Sequence, residues 1–69
     1  MSEYIRIIKR GMIDAGLENF KDLAKALGMK YDTLLVRLKD PGTFRAFEII
    51  NLAEVLNLTD AEIVTIVRS

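Results

Sequence analysis

The side chains best equipped for chemistry in this 69-residue chain lie between positions 21 and 45. Lys21, Lys30, Lys39 and Arg45 supply cations, Thr43 a hydroxyl, and Tyr31, Asp32, Thr33 and Arg37 a short run of donors and acceptors. The chain contains no histidine and no cysteine, which removes imidazole chemistry, disulfides and thiolate metal sites. It holds no glycine-rich phosphate loop, and its acids form no convincing pair for general acid–base work. Asp60 and Glu62 read instead as first-turn helix acids, where negative charge is favourable. The sequence therefore predicts no enzyme, no cofactor, no metal and no small-molecule substrate. What remains is recognition. Cations can neutralise phosphates, and polar or apolar side-chain tips can meet base edges.

Ten Lys/Arg balance ten Asp/Glu, but unevenly along the chain. Residues 1–45 carry nine basic against six acidic groups, a balance of +3, while residues 46–69 carry one against four, or −3. A basic front and an acidic back would orient the molecule on a polyanion. Charges scattered for solubility are the plainer alternative. The 51% hydrophobic content argues against disorder and exceeds what so small a core needs, which points to a partner surface. No run approaches the roughly 18 apolar residues of a membrane span. No basic start leads into an apolar leader, so a cytoplasmic protein without membrane contact is expected. The length predicts one domain over residues 1–69.

Those side chains need elements to hold them, and the punctuation predicts five helical segments. Ser2 can cap the first, with Ile5, Ile8, Met12 and Ala15 on one face and Gly16 at its end. Gly11 within that pattern either costs roughly 1 kcal/mol against alanine or marks close approach by a neighbouring helix. Asn19 caps the second segment, with Asp22 three residues on. Leu23 and Leu27 stand four apart, as do Leu34 and Leu38, so each of the next two segments has an apolar stripe at helical spacing. Ala24 allows two backbones to approach, and Gly28 ends the second helix. The third starts after Lys30, a poor cap that leaves amides free for water or a phosphate. It stops near Lys39, because Pro41 pushes Asp40 out of the helical region. Pro41-Gly42 suits the centre of a type II turn. A fourth helix covers about 46–56, with Phe47, Ile50 and either Ala53 or Val55 inward, Ile49, Leu52 and Leu56 close by, and Asn57 at its end. Thr59-Asp60-Ala61-Glu62 is a capping box for a last helix over 60–68. Its β-branched run, 63–67, would read as a strand in isolation. The cap and the absence of a partner strand favour a helix.

A short helix carrying Ala24, a tight turn at Leu27-Gly28-Met29 and a second helix carrying Leu34 and Leu38 together resemble the DNA-binding domain of the phage lambda repressor and Cro-like family. More closely, the chain is similar to small prophage regulators with a Leu-Gly-Met turn and a segment like Lys39-Asp40-Pro41-Gly42 after the recognition helix. The likeness covers about residues 3–58. It implies an all-α fold, a compact bundle of five short helices with a helix-turn-helix at 20–39. It also implies a transcriptional regulator, repressor or Cro-like, whose helix over about 31–39 enters the major groove of double-stranded DNA. Such proteins act as homodimers on operators with half-sites about 34 Å apart. By position, Tyr31 is the first base-reading residue and Asp32 the next, while Lys39, Thr43 and Arg45 match the turn that contacts phosphate. The glutamine that usually opens the family's second helix is Phe20 here, and the serine or glycine common before its recognition helix is Lys30. Arg45 stands where close relatives often carry a threonine cap.

With Leu34 and Leu38 inward, a turn of roughly 100° per residue points Asp32 and Val36 outward, flanked by Thr33, Leu35 and Lys39. Tyr31, Asp32, Thr33 and Val36 are then candidates for base edges. Asp32 suits a cytosine amino group, and Val36 a thymine methyl. Arg37 suits a guanine or a phosphate. Lys21, Lys30, Lys39, Thr43 and Arg45 are the phosphate candidates. Each has a plainer reading: lysines solvated, Tyr31 packed near Met29, Leu35 flanking the core, Asp32 supporting the amides at the helix start. On the last helix, Ile63, Val64 and Val67 are candidates for a dimer contact, against the alternative that all of its apolar residues close the core. Tyr4 and Ile7, off the first helix's main stripe, are secondary candidates. The outward pair Leu35 and Val36 keeps a second function open, an antirepressor or adaptor that docks them on another protein.

Overall fold

Single residues set the helix boundaries in this chain. A computed structural model, which describes residues 2–69, contains α1 (Glu3–Ala15), α2 (Phe20–Leu27), α3 (Tyr31–Lys39), α4 (Ala46–Leu56) and α5 (Asp60–Val67). A 3₁₀ turn, Pro41–Thr43, lies between α3 and α4. No strand occurs among the described residues, so the fold is the expected all-α, five-helix bundle. The β-branched run of α5 is helical.

Three helices stop by one device. Gly16, Gly28 and Asn57 take left-handed φ values of 75°, 67° and 53°. The next residue then reaches back: Leu17 N–H donates to Met12 O at 2.8 Å, Met29 to Ala24 at 2.9 Å and Leu58 to Ala53 at 2.9 Å. Those same residues are half-buried against the core. Each stop therefore satisfies end carbonyls and tucks an apolar side chain inward. The starts are equally local. Asn19 Oδ1 accepts the Asp22 N–H at 2.9 Å, and Thr59 and Glu62 exchange reciprocal bonds at 3.2 and 2.9 Å. Such caps contribute about 1 kcal/mol each. Ser2 stands at the head of α1 without a side-chain bond to it.

The turn after α3 differs from expectation. Pro41-Gly42 forms a 3₁₀ turn and not a type II turn, and Gly42 does not take a positive φ. The reason lies at Asp40, whose carbonyl accepts both the Thr43 N–H at 2.9 Å and the Thr43 hydroxyl at 2.7 Å.

Each helix sends one side chain fully out of water: Ile8, Leu23, Leu34, Leu52 and Ile66. They meet at the centre of a body measuring 24 × 24 × 23 Å. Gly11 does mark a close approach, because a Cβ there would lie 2.9 Å from Leu56 Cβ on α4. Tyr4 Oη donates to the Leu38 carbonyl at 2.6 Å and joins the start of α1 to the end of α3.

Two faces are rotated from their expected settings. On α1, Ile7 is buried and Ala15 exposed, because this helix packs against both α4 and α5 and needs a wide inward face. On α4, Phe47 and Ile50 are 60% and 56% exposed, while Glu48, Leu52 and Leu56 point inward. No helix among the described residues is long and apolar enough to cross a membrane.

Candidate nucleic-acid interface

Burial of Leu34 and Leu38 turns the opposite side of α3 to solvent. Asp32 and Val36 lie on that bare side, Val36 with 54% of its surface exposed, and Leu35 and Tyr31 border it. Thr33 is half-buried and faces a cleft shared with Leu27, Met29 and Phe47. Lys30 and Lys39 are exposed at the two ends of the helix, and Thr43 and Arg45 are exposed on the turn that follows. Lys21 Nζ sits 5.6 Å from the centre of the Tyr31 ring, a cation–π contact that joins the start of α2 to the start of α3. Lys21 is thus the side chain that meets the exposed Tyr31 ring.

Arg37, expected to meet a guanine or a phosphate, is engaged within the protein. Its Nε donates to Glu48 Oε1 at 3.0 Å, and its side chain is half-buried against α4. The same Oε1 accepts the Arg45 backbone N–H at 2.8 Å. A guanidinium has no acceptor to return, so Arg45 gives only half of a capping box. Arg10 pairs with Glu62 in the same sense. Two basic groups of the front are therefore matched by two acids of the back, which weakens the charge asymmetry read along the chain.

No family model, curated protein or solved structure matches this chain.

On α5, Val64 and Val67 are exposed, Ile63 is half-buried and Ile66 lies in the core. Ile7 is in the core, and Tyr4 is half-buried with its hydroxyl bonded to the Leu38 carbonyl. Sequence reasoning missed Glu48 and set Phe47 and Ile50 inward, where they are exposed. The signal for Glu48 was present: it stands three residues after Arg45, the spacing of a helix-start carboxylate.

Burial alone would raise the Glu48 carboxyl. The Arg45 amide, the Arg37 hydrogen bond and both guanidinium charges outweigh it and hold the group below the usual glutamate range. At Glu62 the Thr59 amide leads, with the Thr59 hydroxyl and Arg10 adding to it, and outweighs partial desolvation. Both groups favour folding when ionised, so their contribution is complete above the unfolded glutamate pKa and is lost as pH falls through the lowered folded values. With no histidine to titrate, the melting temperature is expected to stay flat from neutral pH to about 5 and to drop below about 4. Thermal melts across pH check this, and Glu48→Gln should flatten the drop. A drop centred near neutrality would contradict the assignment.

Proposed function

We propose that this chain is a small lambda repressor- or Cro-like transcriptional regulator of prophage type, acting in the cytoplasm as a homodimer on operator DNA. The observation that carries the reading is the side of α3 left bare by Leu34 and Leu38, flanked by exposed Lys30, Lys39 and Arg45. In the major groove that side presents Tyr31, Asp32 and Val36 to base edges, with Thr33 at the margin. Lys30, Lys39, Thr43 and Arg45 hold phosphates and set orientation, and Lys21 supports Tyr31. Val64 and Val67, with Ile63 beneath them, form the subunit contact, which analytical ultracentrifugation measures.

Selection from a random duplex pool at two salt concentrations tests the reading. Lys39→Ala and Arg45→Ala should each weaken binding to every sequence and lower the logarithmic salt slope by about 0.9. Tyr31→Ala and Asp32→Ala should change the preferred sequence. If neither pair alters binding, α3 does not dock in this way. The exposed apolar surface of Leu35 and Val36 favours the second reading, a protein-docking antirepressor or adaptor. Recovery of a single protein partner with no duplex shift at low salt would select it.

A further inference from the structure

The end of α3 and the segment that joins it to α4 carry Lys39, Thr43 and Arg45 on their surface, and one carboxylate oxygen ties this stretch to both helices. Glu48 Oε1 receives the Arg45 backbone N–H at 2.8 Å and Arg37 Nε at 3.0 Å. Within the loop so closed, Pro41 is buried and both Thr43 donors bond to the Asp40 carbonyl. The two ion pairs of the described residues are unlike. In Arg10–Glu62 the arginine side chain is 68% exposed, and a solvated pair of that kind fixes little. In Arg37–Glu48 the side chains are 17% and 9% exposed, so the partners are withdrawn from water and held in one geometry.

Arg37 follows Val36 on the helix whose bare side faces solvent, and Glu48 stands at the start of α4. Their contact therefore relates the exposed side of α3 to the turn that bears the outer cations. We infer that Arg37 and Glu48 are positioning residues, which fix the register of turn 39–45 against α3 and so set sequence discrimination more than affinity. The inference rests on the DNA-binding reading. Phosphate contacts orient a protein on the duplex, and base contacts discriminate only while that orientation holds. A turn released from α3 can still find phosphates in several registers. Non-specific binding then persists while the preference for one sequence decays.

Three variants separate this role from the others. Arg37→Met removes the charge but leaves Glu48 to receive the Arg45 amide. Arg37→Lys returns a charge, and Glu48→Gln keeps an acceptor oxygen while losing its charge. Each is titrated below its own melting temperature against the duplex selected by the unsubstituted protein and against a random-sequence duplex, over a salt series. The selected-to-random affinity ratio is expected to fall about tenfold for Arg37→Met, the scale of one mismatched base pair. Affinity for the random duplex and the salt slope should be retained, and Arg37→Lys should restore part of the ratio. An unchanged ratio overturns the inference and leaves the DNA-binding reading standing. A slope reduced by about 0.9 also overturns it, by making Arg37 a phosphate contact. An unsubstituted protein that shifts no duplex overturns both. Should Arg37→Met fail to fold, the ratio for Glu48→Gln decides: a fall supports the inference and no change overturns it.

Discussion

Leu34→Ala is expected to remove about 2–5 kcal/mol of stability, the cost of a fully buried leucine and the cavity it leaves. A domain of this length has a total of roughly 3–10 kcal/mol to lose. The variant should therefore lose a large share of its stability, read as a much lower midpoint in urea titration of the helical circular dichroism signal at 25 °C. Leu34 is 0% exposed and is the only residue of α3 among the five side chains that meet at the centre. Leu35→Ala, one residue away and 37% exposed, should cost much less. Equal losses at the two positions would show that α3 is not oriented by its leucine stripe, and the groove-facing assignment would fail with it.

Gly11→Val sets two effects against each other. Replacing a mid-helix glycine relieves a propensity cost of less than about 1 kcal/mol. Against that, the new Cβ would lie 2.9 Å from Leu56 Cβ, and both methyls must still be placed. Overpacking of a tight helix contact costs about 1–3 kcal/mol, so the clash should win and the variant should be less stable. The melting temperature should drop by about 4–8 °C for each kcal/mol lost. Leu56→Ala keeps the Cβ at 2.9 Å but clears Cγ and Cδ1, each 3.4 Å away, which makes room for the valine methyls, so the double variant should lose somewhat less than the sum of the two single losses. A Gly11→Val variant as stable as the unsubstituted protein would show that α1 and α4 do not approach this closely.

What could be read without coordinates follows from how locally each feature is written. Gly16, Gly28 and Asn57 end helices through their own φ, and Asn19 and Thr59 start them through bonds to residues three positions on, so five segments could be read one at a time. The inward side of α3 was equally plain, because Leu34 and Leu38 leave a single stripe. The face of α4 was not. That helix has apolar residues all round, and the stripe that wins includes Glu48, a residue type an apolar pattern rejects. Its burial makes sense only once Arg37, eleven residues back in the chain, is seen beside it. The same partner explains Arg37, whose angle on the helix left its role open. Lys21 and Tyr31 met in the same manner, through the fold and not through spacing. The candidate interface was thus visible as one side of a helix, while the charged groups already committed within the protein were not.

The local writing of helix ends has a consequence for how the molecule assembles. Helices whose termini are specified by adjacent residues can flicker into shape before any distant contact exists, and α2 and α3 pack as chain neighbours. The costly event is the return of the carboxy-terminal pair to α1, which packs on both α4 and α5. Closure of that ring is expected to set the pace, and helical topologies of this kind fold in roughly microseconds to milliseconds. A nascent chain would gain its stable core only when Ile66 has left the ribosome.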